Sequence, residues 1–242
     1  MTVAILIPTY NEVLSLPNLI GEISRFRETF PEDISVYVID DNSPDKSADV
    51  VDKLNYAWVT VLRRGSKDGL GPAYRHGIDF VLQQTEHNSI ITMDADGSHQ
   101  VNNLKALLDA RAIGIDLVIG TRWMQGGSVK NWPQWRKFLS QGGTSYARKA
   151  LGIDLKDLTG GFRIYSRELL TSLSLSTLKS SGYCFQIEMA MQSFELGANI
   201  HEVPIEFIER VEGKSKMSTR IVLEALWQVT IWGFLRAVSN RR

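Results

Sequence analysis

Two carboxylates one residue apart, Asp94 and Asp96, follow the apolar run Ser89-Ile90-Ile91-Thr92-Met93. Hard divalent cations take oxygen ligands, and Mg²⁺ is commonly held by one or two carboxylates together with substrate phosphates. In an extended strand, residues i and i+2 point the same way, so both acids would aim at one point, with small Ala95 allowing close approach. A bare pair of acids at a strand end is often only solvated surface. Asp40 and Asp41 suit hydrogen bonds from a base or ribose. Equally, one of Asp41, Asn42 and Ser43 caps the helix that follows. Glu12 reads either as a ligand contact or as an acid near a helix start. Arg122, Arg136, Arg210 and Lys216 could neutralise phosphates, the guanidinium groups doing so bidentately. Singly, each is equally an ordinary surface charge.

Other chemistries find little support. No Ser-His-Asp arrangement, GxSxG or P-loop occurs. Gly69-Leu70-Gly71 does not continue to GxGxxG, because Tyr74 stands at the third glycine position. Those glycines read as turn residues. His76, His87, His99 and His201 are scattered and read as structural or surface, and the single Cys184 as packed. One thiol makes no internal disulfide, which points to a reducing, cytosolic location. Lys+Arg and Asp+Glu both total 27, so the formal net charge is zero. That balance argues against a general nucleic-acid binder but not against a local basic site for phosphate.

The elements that must position these groups follow from periodicity. Residues 3–7, 36–39, 59–62, 89–93 and 117–119 read as strands, and 16–30, 48–54, 72–84 and 104–112 as helices. This alternation predicts a mostly parallel sheet with helices on both faces. Ligands of such sheets bind beyond the carboxyl ends of the strands. Pro8 to Glu12, Asp40-Asp41, Arg63-Arg64, Asp94-Ala95-Asp96 and Gly120-Thr121-Arg122 all fall there, which favours metal over solvated surface for the acid pair. Further on, 122–136 reads as a long loop, 158–165 as a turn into a strand, 183–196 as a helix and 200–203 as a strand. The N-terminus lacks a basic n-region and reads as the first strand, not a signal peptide. Residues 221–238, IVLEALWQVTIWGFLRAV, contain Glu224 and Arg236 and fall just short of the roughly 20 residues of a bilayer span. Trp227 and Trp232 suit a membrane interface, with packing against protein as the alternative.

The segments PTYNE (8–12), VIDDNSPD (38–45), GLGPAYRHG (69–77), MDADGSH (93–99), GTR (120–122), LTGGFR (158–163), GYCFQIE (182–188) and ERVEGKSKMS (209–218) occur in that order. Together they resemble the polyprenol-phosphate (dolichol-phosphate) mannosyltransferases, inverting glycosyltransferases of GT-A fold, across residues 3–220. The resemblance implies an α/β catalytic domain over 1–218 and a C-terminal apolar helix over 219–242 that lies at a membrane or packs on protein. It places Pro8, Tyr10, Glu12, Val38 and Asp40 around the nucleotide, and Asp94, Ala95 and Asp96 against the donor. It gives Mg²⁺ or Mn²⁺ to Asp94, Asp96 and Ser98, where some relatives carry Gln in place of Ser98. Arg122, Arg136, Arg210 and Lys216 would surround the phosphates, with Asp96, Arg122 and Arg136 closest to catalysis. The implied reaction moves mannose from GDP-mannose to a polyprenyl phosphate, with inversion, on a protein peripheral to the inner, cytoplasmic membrane face. Relatives often carry added transmembrane segments or use a separate membrane-protein partner. UDP-glucose or UDP-N-acetylglucosamine is the alternative donor. A non-catalytic nucleotide- or lipid-binding subunit, and a cytosolic enzyme with a soluble acceptor, are the other readings.

Overall fold

The computed structural model describes residues 2–111, 114–178, 180, 182–210 and 219–239. Strands β1 (Thr2–Thr9), β2 (Asp33–Asp40) and β3 (Val59–Arg63) run parallel, joined through α1 (Leu16–Thr29) and α2 (Ser47–Lys53). Helix α3 (Leu70–Gln84) then carries the chain across to β4 (Ser89–Thr92), parallel to β1 on its other side. There follow α4 (Asn103–Asp109), β5 (Leu117–Thr121), β6 (Ser128–Lys130), α5 (Gln134–Leu151), β7 (Arg163–Ser166) and α6 (Arg167–Ser172). The chain closes with α7 (Tyr183–Glu195), β8 (Ile200–Pro204), β9 (Glu206–Ile208) and α8 (Thr219–Ser239). The seven-stranded sheet has the order β3-β2-β1-β4-β7-β5-β8, and β6 and β9 pair separately. Only β7 runs antiparallel to its neighbours, so the predicted mostly parallel sheet is present.

Apolar residues on both faces of β1 explain its central place. Val3, Ile5 and Ile7 pack with Ile20, Ile23 and Leu104 of α1 and α4, while Ala4 and Leu6 pack with Tyr74 and Ile78 of α3. A parallel strand buried on both sides needs such an unbroken apolar run. Gly69 has φ 104°, a backbone few side chains tolerate, and a Cβ on Gly71 would meet the Ser180 carbonyl oxygen at 2.4 Å. The turn reading therefore holds for Gly69, while Gly71 lies inside α3 and serves close packing.

Two local expectations are corrected. Helix α2 begins at Ser47, whose N–H donates to Asp45 Oδ1 at 3.0 Å, so none of Asp41, Asn42 and Ser43 caps it. The predicted loop over 122–136 contains β6, held by pairing with the distant β9, and the start of α5, preceded by Pro133. Helix α5 itself was hidden by Gly142-Gly143 at its centre, which weaken the helical signal. Helix α8 packs against α5, with Tyr146 Oη 2.6 Å from Thr230 Oγ1. A Cβ on Gly233 would lie 2.6 Å from the Ala150 carbonyl oxygen, so the two helices approach closely there. Among the described residues no helix is long and apolar enough to cross a membrane.

Candidate active site

The order of connection reverses between β1 and β4, and the crevice beyond their carboxyl ends is where an open α/β sheet takes its ligands. Strand β4 stops at Thr92, so Asp94 and Asp96 do not converge by strand alternation as expected. They sit in a turn through Ala95 and Gly97, the latter at φ 73°. That turn folds the chain back on itself. The Asp94 N–H donates to His99 Nδ1 at 3.0 Å, and His99 Nε2 lies 3.7 Å from Asp94 Oδ2. Asp96 Oδ1 accepts from the Ser98 N–H at 3.0 Å and the Ser98 hydroxyl at 2.6 Å, and Arg210 Nη2 meets Asp96 Oδ2 at 2.9 Å.

These contacts separate the two acids electrostatically. Burial pushes the Asp94 carboxyl above the usual range, and the charge of Asp96 adds to the rise against the pull of Arg210 and Arg122. Burial pushes Asp96 the same way, but Arg210 and the Ser98 hydrogen bonds outweigh it and hold Asp96 below the usual range.

Arg122 and Arg136 are both buried and both paired. Arg122 Nε donates to Asp157 Oδ2 at 2.7 Å and its Nη2 to Asp157 Oδ1 at 2.8 Å, a bidentate grip that fixes the guanidinium plane. Asp157 is 0% exposed, and Arg122 with its hydrogen bonds lowers the Asp157 carboxyl despite burial. Arg136 pairs with Glu209, and its guanidinium lies 4.1 Å above the Trp132 ring. Arg122 lies 5.5 Å from the same ring, so one indole braces both cations.

Two cavities share the acid pair. One, of about 410 Å³, is bounded by Pro8, Glu12, Ala95, Lys67, Gly69 and Cys184, and falls within the roughly 300–1,000 Å³ of ordinary ligand sites. Tyr10 stands beside it, with Lys67 Nζ 3.7 Å above its ring. Asp40 accepts from the Ser43 N–H at 3.0 Å through Oδ2, while Oδ1 is buried without a hydrogen-bond partner among the described residues. Val38 is 0% exposed and packs in the core on the α1 side, so its side chain does not reach the crevice. Burial pushes the Cys184 thiol up to about 11, which agrees with a packed, unreactive cysteine. The second cavity is narrow, about 130 Å³, and opens between α5 and α8. Asp94, Asp96, Arg122, Arg136 and Arg210 lie at its polar end, and Leu139, Gly143, Tyr146, Leu226 and Val229 along its apolar wall. Lys216 lies outside the described residues.

Sequence reasoning missed His99, Asp157 and Trp132. His99 was legible in principle, because Gly97 permits the reversal that brings it under Asp94. Asp157 and Trp132 owe their roles to partners that only the fold brings near.

Residues 4–173 match the sequence profile of glycosyl transferase family 2. A polyprenol monophosphomannose synthase of Mycolicibacterium smegmatis is 43% identical over 241 residues, covering 98% of this chain and 89% of that protein. An undecaprenyl-phosphate mannosyltransferase of Micrococcus luteus is 45% identical over 235 residues, covering 96% of this chain and 94% of that protein. Among solved structures, glucosyl-3-phosphoglycerate synthase of Mycobacterium tuberculosis in complex with Mn²⁺ and UDP-glucose is similar with a TM-score of 0.66. It is 20% identical and spans 96% of this chain and 77% of that one, a likeness of fold alone. Profile, near-full-length relatives and fold converge, and this chain, a glycosyltransferase of GT-A fold, belongs to glycosyl transferase family 2 with the polyprenol-phosphate mannosyltransferases.

Proposed function

We propose that this chain transfers mannose from GDP-mannose to a polyprenyl phosphate, with inversion at the anomeric carbon. The observation that carries the reading is the cavity between α5 and α8, where two braced arginines meet an apolar wall next to the acid pair. A lipid that ends in phosphate needs that combination, cations for its head and hydrocarbon contact for its tail. The names of the two relatives in M. smegmatis and M. luteus support the same chemistry.

Each residue's part follows from its surroundings. A phosphate monoester is already ionised near neutral pH, so its oxygen attacks the anomeric carbon without a general base. Arg122, aligned by Asp157, and Arg136, braced on Trp132, hold the acceptor phosphate against its repulsion by the donor. Arg210, which lines both cavities, is assigned to the donor, and Lys216 with it. Asp40 Oδ1, buried without a hydrogen-bond partner among the described residues, is assigned as the acceptor for a donor group of the nucleoside.

Two carboxylates and a hydroxyl, without a thiolate, form a donor set for a hard cation such as Mg²⁺ or Mn²⁺. A guanidinium already stands on Asp96, which shows that the place accepts positive charge. Asp94 and Asp96 would hold the ion, with Ser98 orienting Asp96 or adding its own oxygen. When bound, the ion neutralises charge on the departing nucleoside diphosphate.

The same two helices offer a surface for the membrane. Trp135 and Phe138 of α5 and Leu223, Trp227 and Phe234 of α8 are large apolar side chains left exposed, between 65% and 72% each. Apolar residues of this kind belong at a lipid interface. We place the protein peripherally at the cytoplasmic face of the membrane, with residues 1–218 catalytic and 219–242 at the lipid surface, where a separate membrane protein is an alternative contact.

The test is transfer of label from GDP-mannose, with UDP-glucose in parallel, to a short polyprenyl phosphate in Mg²⁺ or Mn²⁺. Label entering the organic phase from GDP-mannose alone, and lost in Asp96→Ala or with chelator, is the expected result. Transfer from UDP-glucose alone corrects the donor. Intact nucleotide binding with no transfer from either overturns the reading in favour of a binding subunit.

A further inference from the structure

One buried group touches the acid pair and is not used by the mechanism above. His99 is 2% exposed, yet it faces the same cavity as Asp94. Its Nδ1 accepts the Asp94 main-chain N–H at 3.0 Å. A backbone amide can only donate, so Nδ1 carries no proton and the ring proton is assigned to Nε2. That Nε2–H lies 3.7 Å from Asp94 Oδ2. One imidazole therefore addresses Asp94 twice, at its main chain and at its carboxylate.

The ring is not free to turn. It stacks on Phe162 with centroids 4.9 Å apart and planes inclined by 13°, and it meets Phe207 edge-on at 5.6 Å and 78°. Its own backbone bridges to Phe207, so the stretch from Ser98 to His99 is tied to β9. Gly161 closes the remaining side, where a Cβ would lie 3.7 Å from His99 Cε1 and 3.6 Å from Asp94 Oδ1. The separation of 3.7 Å exceeds a hydrogen bond, and a small rotation of the Asp94 side chain closes it.

We infer that His99 is a positioning residue for Asp94: its two ring nitrogens fix the main chain and one carboxylate oxygen of Asp94, leaving the other oxygen for the cation and donor. The inference rests on the metal-dependent donor site proposed above. Groups that orient metal-binding carboxylates typically change metal affinity by about 10- to 100-fold when removed.

The test uses calorimetric Mn²⁺ binding in the presence of GDP, with donor KM and thermal midpoint measured beside it. His99→Phe keeps an aromatic ring between Phe162 and Phe207 but loses both nitrogens. In His99→Asn the amide oxygen takes the place of Nδ1, and in His99→Gln the amide nitrogen takes the place of Nε2. The expected result is Mn²⁺ binding weaker by about 10- to 100-fold in His99→Phe, with a raised KM and a modestly lowered midpoint, since the Asp94 N–H loses its acceptor. Gln should recover more of the Mn²⁺ affinity than Asn, because it restores the donor to the carboxylate. If His99→Phe does not fold, this Gln–Asn difference decides the matter alone. Wild-type Mn²⁺ affinity in both Phe and Asn variants, or equal weakening in Gln and Asn that tracks a fallen midpoint, overturns the inference. A protein that binds Mn²⁺ and GDP with the expected His99 effects but transfers no mannose would overturn the functional reading and leave this role standing.

Discussion

The divalent cation proposed above would compete with Arg210 for one oxygen of Asp96, and that competition can be measured. Asp96 Oδ1 already accepts two hydrogen bonds from Ser98, so Oδ2, which holds Arg210 at 2.9 Å, is the atom that must change partner. The two side chains are 14% and 10% exposed, so this pair is more withdrawn from water than a surface salt bridge. Coulomb attraction at about 4 Å with an effective dielectric near 20 amounts to roughly 4 kcal/mol, most of it offset by desolvation. A net of about 1–2 kcal/mol is a reasonable remainder for a partly buried pair. Removing Arg210 should therefore tighten metal binding in the absence of nucleotide by roughly 5- to 30-fold.

The sign is what makes the experiment sharp. Among the described residues no cluster of three or more His, Cys, Asp or Glu side chains could hold a metal, so a cation at Asp94 and Asp96 would have few protein ligands and the lost competitor should show. Calorimetry with Mn²⁺ alone would compare wild type, Arg210→Met and Arg210→Lys. The methionine variant should bind Mn²⁺ more tightly yet show a lower kcat/KM, because the cation proposed for the donor diphosphate is gone. Lysine keeps the charge without the forked geometry and should fall between. Unchanged or weaker Mn²⁺ binding in Arg210→Met would refute the competition.

Two other predictions have equally clear signs. Gly143 lines the apolar cavity, and a Cβ there meets nothing within 4 Å, so the side chain of Gly143→Leu starts without a clash and extends into the groove. It should raise the thermal midpoint, since removing a mid-helix glycine is worth about 0.5–1 kcal/mol, while raising the acceptor KM and leaving donor affinity unchanged. An unchanged acceptor KM would place the lipid elsewhere. His87 concerns stability, because burial lowers its pKa from the ordinary 6.5. The folded state keeps the ring neutral while the unfolded chain takes up a proton first, so stability should fall as pH drops below about 6.5. Thermal midpoints between pH 7.5 and 5.5 should fall more steeply in wild type than in His87→Phe, and equal slopes would contradict the assignment.

How far the sequence reveals a residue depends on where its partner stands. Strands β1, β2 and β4 are legible because burial on both faces demands apolar runs that any reader can find. The acids at their ends are legible because the ligand edge of such a sheet is known before its coordinates are. Helix α5 was not, since its glycines weaken the local signal and its packing partner α8 lies far along the chain. Val38 shows the opposite failure: a residue of a motif attributed to the nucleotide turns its side chain into the core. Arg122 was predicted as a phosphate ligand, and its position is compatible with that. Its orientation is set by Asp157, which the sequence offers as one more acid before a turn. A buried acid is tolerated only where a cation or a set of N–H donors meets it, and Asp157 has both, from Arg122 and from the main chain of Thr159 and Gly160. Arg122 and the loop before β7 are therefore one structural unit, and a substitution at Asp157 should move Arg122 before it moves the fold.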